Sequence, residues 1–312
     1  MKPPPLPDLA GQRVLVTGAG GFLGGVLCRR LVEAGAEVHG VMRTRPVPAG
    51  ALPHRAELSE PNDVARCFAA ARPALVFHLA APVDLSRDPA AFLRLRAGIL
   101  DATHHVAHAC LHHGARLVAA GTCEEYGAAE APFSEDTPAK PVSAYSALKL
   151  AATVWLLTLH RTAGLPVTVV RPFLTFGPGQ APARLVPAAI AAALAGRPLP
   201  MTDGRQTREL NHVDDMVEAL LAASAPAAVG QLLNLGGGPE IAIRDLAALI
   251  FRLAGADPGS IELGALPRRA GEVTRFCGDH TRARALLGIA PRVSLEEGLR
   301  RTIAHARGHD AR

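Results

Sequence analysis

A chain of 312 residues, 49% hydrophobic and 20% charged, is long enough for one large domain or two small ones and reads as globular and soluble. Its net charge of +5 comes from arginines spread along the sequence with no block of like charges. That pattern does not indicate a nucleic-acid footprint and leaves open that some arginines meet an anionic small molecule.

In chain order, the opening MKPPPLPDLAGQ has no apolar stretch of the kind a secretory signal needs. RVLVT at 13–17 is a short apolar run that meets glycines at once, which predicts a buried parallel strand. FLGGVLCRRLVEAG follows with helical spacing and closes on Gly35. EVHGVM, ALVFHLAA, RLVAAGT and PVTVVRPF read as further strands, with helices over 89–113 and 143–163 between them. This alternation predicts an α/β fold: a Rossmann-type doubly wound parallel sheet with helices on both faces. After FGPGQ the rhythm changes. Helices are expected over 182–196, 243–254 and 294–306, RELNHVDDMVEALLAA runs from an extended piece into a helix, and QLLNLGG is a late strand that can rejoin the sheet. We therefore expect a dinucleotide-binding domain over 1–176, to which about 209–236 return, and a smaller C-terminal α/β substrate lobe over 177–312. The longest bland apolar run, LVPAAIAAALAG, is too short to span a bilayer, so no membrane partner is expected. Five scattered cysteines form no CxxC pair, which suits reduced thiols in a cytoplasm, without disulfides or zinc.

VTGAGGFLGG joins the first strand to the first helix, with glycines at Gly18, Gly21 and Gly24. Bare backbone in such a turn lets a pyrophosphate reach the amides at a helix N-terminus, where the dipole favours negative charge. The second strand ends at Met42, where an acid would accept the adenosine ribose of NAD and repel a 2′-phosphate. Arg43 and Arg45 follow instead, and guanidinium groups pair well with phosphate. NADP(H) is favoured on this pattern, with NAD(H) as the alternative.

SAYSALKLAA holds one of only two tyrosines and one of only three lysines in the chain, one helical turn apart. A phenol with a pKa of about 10 is too weak an acid for proton exchange at neutral pH, and the Lys149 ammonium is expected to lower that value for Tyr145. The pair makes an acid/base beside a nicotinamide.

Together with the glycine loop, this stretch resembles the extended short-chain dehydrogenase/reductase superfamily, in its branch of NAD(P)-dependent nucleotide-sugar epimerases, dehydratases and reductases. The resemblance covers almost the whole chain, through TGAGGFLG, LVFHLAA, GTCEEYG, YSALK, RPFLTFGPGQ, GRQTRELNHVDD and PRRAGEV in the expected order. It implies a catalytic Thr122 beside Tyr145 and Lys149. It implies cofactor contacts from Phe22 and Leu23 in the loop, from Glu57 and Leu58, from Leu79, Ala80 and Ala81, and from Pro172. It implies a nucleoside-diphosphate sugar bound by Cys123, Glu124, Leu174, Arg208 and Arg269. A homodimer is the expected assembly, since the corresponding helix with His104, His108 and His112 often builds an interface in relatives. That histidine row is read as an interface face in preference to a metal site. Asp214 and Asp215 are read as helix-capping acids, and Cys123 as a pocket-lining thiol with no base to activate it.

Three departures stand out. Dehydratases of this branch carry Asp-Glu after the catalytic threonine, where this chain has Cys123 and Glu124. Asparagine is common at Leu174, where its amide contacts the diphosphate, and near Ile99, where it supports the lysine. The favoured function is an NADPH-dependent reductase of a nucleoside-diphosphate 4-keto-6-deoxy sugar. The alternative is an NAD-dependent nucleotide-sugar 4-epimerase, followed by a 4,6-dehydratase or a non-catalytic dinucleotide-binding regulator.

Overall fold

A computed structural model describes residues 8–84, 86–268 and 273–310. Seven parallel strands form the central sheet: β1 (Arg13–Thr17), β2 (Glu37–Met42), β3 (Leu52–Arg55), β4 (Leu75–His78), β5 (Arg116–Ala120), β6 (Val167–Pro172) and β7 (Leu232–Leu235). Their order is β7-β6-β5-β4-β1-β2-β3, so the direction of winding reverses between β1 and β4. A crevice at such a reversal, outside the carboxyl ends of the strands, is where open α/β sheets bind ligands. Apart from the edge strand β3, the strands are buried on both faces, which is why they read as apolar runs without alternation.

Helix α1 (Phe22–Glu33) opens directly on the glycine turn, and Gly35, at φ +79°, follows its end. Its apolar face packs with α7 (Val213–Ala222) on one side of the sheet, around Leu27, Leu31, Met216 and Leu220. Helices α2 (Pro61–Ala71), α4 (Ala102–His113) and α5 (Ala144–Ala163) cover the other side, around Phe68, Val106 and Leu156. The expected helix over 89–113 is interrupted: α3 (Ala91–Arg96) passes through a π-turn at Ala97–Asp101 before α4 begins. Ile99 in that turn packs against Tyr145 and Leu148.

After Thr175–Phe176 the chain builds a second core from α6 (Leu185–Leu194), α8 (Ile243–Ala254) and α10 (Leu295–Asp310). The QLLNLGG segment returns as β7 beside β6, as expected. β3 was not anticipated, because LPHR is short and largely exposed. One capping expectation is corrected. The N-cap of α7 is His212, whose Nδ1 accepts the Asp214 amide at 3.3 Å. Asp215 instead accepts the amides of Arg292 and Val293, each at 3.0 Å, and ties α7 to the α9 (Thr281–Leu287) to α10 connection. All five cysteines are free and buried. Among the described residues, no helix is long and apolar enough to cross a membrane.

Candidate active site

A cleft of about 350 Å³ lies at the carboxyl ends of β1, β2 and β4. Gly18, Gly20 and Gly21 line it together with Met42, Arg43, Arg45, Glu57, Leu58, Leu79, Ala80 and Ala81. Gly18 sits at φ +71°, and a side chain there would also meet the Ala80 backbone at 3.0 Å. Gly24 does not line the cleft. A Cβ on it would stand 2.1 Å from the Gly18 carbonyl, so its part is close packing of α1 on the turn. The side chains of Phe22 and Leu23 pack on the core, which leaves their backbone at the mouth of α1. The N-cap, Gly21, offers no side-chain hydrogen bond to the first-turn amides. Bare backbone, an uncapped helix N-terminus and two arginines at the far wall fit a dinucleotide. Arg43 reaches Glu57 at 3.4 Å, an exposed and therefore weak pair.

Beneath the cleft, β4 is anchored by a closed chain of hydrogen bonds. Thr103 gives its own proton to the Ile99 carbonyl at 2.6 Å and so receives His78 Nε2–H at 3.1 Å. His78 Nδ1 then accepts the Thr17 hydroxyl at 2.8 Å, and Thr17 Oγ1 receives the amides of Leu79 and Ala80 at 3.1 and 3.2 Å. Burial, with a smaller contribution from Lys149, pushes the His78 pKa down to about 3, so the ring stays neutral. This chain holds the Leu79–Ala80 wall of the cleft in place.

Ala81 also packs against the cluster that contains Tyr145, which brings the cleft and α5 together. Ser143 caps α5, accepting the Ser146 amide at 3.1 Å, and sets Tyr145 in the first turn. Thr122, just beyond the end of β5, is the group whose hydroxyl draws the Tyr145 phenol down. Lys149, one turn on, donates to the Ala120 carbonyl at 2.6 Å. The expected electrostatics are corrected here. Burial pushes the Tyr145 phenol up to about 12, and the group that draws it back is Thr122, with Lys149 absent from the charges that act on it. Burial also brings Lys149 down to about 8, against the pull of Glu125. One-turn spacing set the two side chains on one face of the helix, but Lys149 is drawn to the Ala120 carbonyl of β5.

Next to this pair, Cys123 is buried and its thiol is pushed well above its ordinary value by burial and by Glu124, Glu209 and Glu125, so it is neutral. Burial also raises the Glu124 carboxyl, while Arg208 and Arg184 pull it down. Arg208 donates to the carbonyls of Thr207 and Val273 at 2.8 and 3.0 Å and lies over the Phe276 ring. Leu174 offers no polar atom from its side chain, which packs among the apolar clusters of the second lobe. Pro172 ends β6, half-buried. Arg269 lies outside the described residues.

Residues 14–236 match the NAD dependent epimerase/dehydratase family. The chain belongs to that family. It is an enzyme of the extended short-chain dehydrogenase/reductase type, with a Rossmann-like sheet. Its sequence is 33% identical to a dTDP-glucose 4,6-dehydratase of Streptomyces griseus, over 95% of this chain and 94% of the relative. It is 35% identical to a UDP-glucose 4-epimerase of Mycolicibacterium smegmatis, over 94% and 97%. Among solved structures, MoeE5 in complex with UDP-glucuronic acid and NAD superposes with a TM-score of 0.86 at 32% identity, over 95% of this chain and 99% of that one.

Within this epimerase/dehydratase scaffold, sequence reasoning passed over several groups that the structure brings to the site. Thr17 and His78 escaped because their bond spans 61 positions. Arg184 escaped because only the folded chain brings it to Glu124. Glu125 did carry a local signal, since Thr122-x-x-Glu125 is a capping box, and both of its hydrogen bonds are made.

Proposed function

We propose that this family member oxidises and re-reduces C4 of a nucleoside-diphosphate sugar, as a nucleotide-sugar 4-epimerase. The observation that carries this reading is the neutral, buried thiol of Cys123 at the position where dehydratases of the branch place an acid, beside Thr122 and the Tyr145 phenol that Thr122 draws down. Loss of a hydroxyl needs a proton donor for the leaving group, and a thiol of raised pKa is a poor one. Oxidation and reduction at C4 need only Thr122 to hold the sugar oxygen and Tyr145 to take its proton and return it. Lys149 grips the ribose of the dinucleotide. A bound dinucleotide would supply the hydride acceptor and donor at its nicotinamide. The diphosphate meets Arg208 and, across Glu124, Arg184. In this reading residues 1–176 carry the cofactor and 177–312 the sugar. The five free thiols suit a reducing cytoplasm.

A second reading, an NADPH-dependent reductase of a nucleoside-diphosphate 4-keto-6-deoxy sugar, is supported by Met42, Arg43 and Arg45 in the wall of the cleft. The two readings separate in one experiment. The epimerase is expected to purify with tightly held cofactor and to interconvert UDP-glucose and UDP-galactose without net change at 340 nm (roughly the absorbance of a reduced nicotinamide). The reductase is expected to consume NADPH with a 4-keto sugar. If the arginines read a 2′-phosphate, fluorescence titration shows NADPH bound more tightly than NADH, and Arg43→Ala/Arg45→Ala weakens NADPH alone by about tenfold to a hundredfold. Equal loss of both cofactors removes the case for NADP.

We also propose a homodimer through the α4–α5 face. His104 packs on Trp155, whose indole N–H is buried with no hydrogen-bond partner, and Val154 beside it is 54% exposed. Light scattering is expected to give a dimer, and Val154→Asp a monomer. A monomeric parent protein sinks this part.

A further inference from the structure

Glu125 takes no direct part in the reaction just proposed, yet it is wholly buried at the centre of the groups that do. Its Oε1 accepts the Thr122 amide at 2.9 Å and the Thr153 hydroxyl at 3.1 Å. Its Oε2 accepts Arg171 Nε–H at 2.9 Å and forms an ion pair with Nη2 at 2.7 Å. Stability alone does not call for such a pair, since apolar residues of similar volume often serve a buried site as well or better.

The bonds point to Thr122. With its amide held by Glu125, the Thr122 hydroxyl accepts the Glu124 amide at 3.2 Å, and the same side chain draws the Tyr145 phenol down. The carboxylate also acts through space. It favours the ammonium of Lys149 and disfavours the phenolate of Tyr145. Lys149 further faces His78 from β4, the Ala120 carbonyl from β5 and Tyr145 on its own helix. Tyr145 faces Thr122, Cys123 and Glu124. Arg171, on the far side of Glu125, lies over the Tyr126 ring at 4.5 Å.

We propose that Glu125 is a positioning residue for the Thr122–Tyr145–Lys149 centre: its Oε1 joins the Thr122 amide to Thr153 and so fixes Thr122 against the helix that carries Tyr145 and Lys149, and its charge keeps the buried Lys149 an ammonium. The proposal rests on the assignment of Tyr145 and Lys149. The sign follows from the charge. Burial holds Lys149 at about 8, and removal of the opposing carboxylate lets it fall further, so the ammonium is lost at lower pH.

The test is the pH dependence of dinucleotide binding, followed by fluorescence in the absence of any sugar. Binding by the parent protein is expected to weaken through pH 8 as Lys149 loses its proton. In Glu125→Gln the midpoint is expected about one pH unit lower, a tenfold change in the proton affinity of Lys149. Glu125→Gln leaves Arg171 without its carboxylate, so Glu125→Gln/Arg171→Met is measured in parallel. It removes both charges, keeps the bulk, and is expected to show the same shift. An unchanged midpoint in the variants that fold overturns the proposal and leaves Tyr145 and Lys149 in their roles. A parent profile flat through this range overturns both. A purely structural Glu125 would alter melting temperature and not the midpoint.

Discussion

Tyr145→Phe is expected to lower turnover by about 10²–10⁴-fold while dinucleotide binding stays near that of the parent protein. The side chain loses one oxygen and nothing else. The ring keeps its place against Ile99 and Leu148, so the apolar packing that seats α5 is preserved. What disappears is the phenol that Thr122 draws down. At about 12, Tyr145 is protonated at neutral pH and ready to act as an acid, so the reductive direction is expected to be flat across neutral pH. The oxidative direction uses the small phenolate fraction and is expected to rise about tenfold per pH unit until another group titrates. Steady-state kinetics in each direction, with binding by fluorescence, check this. Near-full activity in Tyr145→Phe would end the acid/base assignment.

Arg171→Met is expected to cost about 3–5 kcal/mol of stability, the range for breaking a buried ion pair from one side. Arg171 and Glu125 have side chains 4% and 0% exposed, and Arg171 meets the carboxylate through two nitrogens. Methionine fills much of the same volume but leaves a carboxylate in a dry interior with only two hydrogen-bond donors. A drop of several degrees or more in melting temperature is the expected readout, and Glu125→Gln/Arg171→Met is expected to recover most of it because no lone charge remains. A single variant as stable as the parent protein would mean that the Arg171–Glu125 pair contributes little to stability.

The elements legible in the sequence are those with a strong local period. RVLVT, EVHGVM and the helix of residues 243–254 fall where the apolar pattern puts them, because buried strands and one-sided helices write their environment into neighbouring residues. LPHR did not reveal itself as β3, since an exposed edge strand carries no such pattern. The π-turn at Ala97–Asp101 was equally hidden, as its pitch differs from an α-helix by one residue in a single turn. At the site, Gly18 was legible because its positive φ and close approach to Ala80 call for glycine, and Tyr145 and Lys149 because a motif one turn long survives without the rest of the fold. Glu125 and Arg171, 46 positions apart, were not paired by any spacing rule.

The sequence by itself determined the alternation of strand and helix, the glycine turn at the first crossover and the family. Each of these is carried by residues within a few positions of one another. The tertiary structure alone decided how those side chains hold their protons. Burial raises Tyr145 and lowers Lys149, and Thr122, Ala120 and Glu125 reach them from separate elements. Proton affinity depends on desolvation and on charges met through space, and neither exists until the chain has closed around the site.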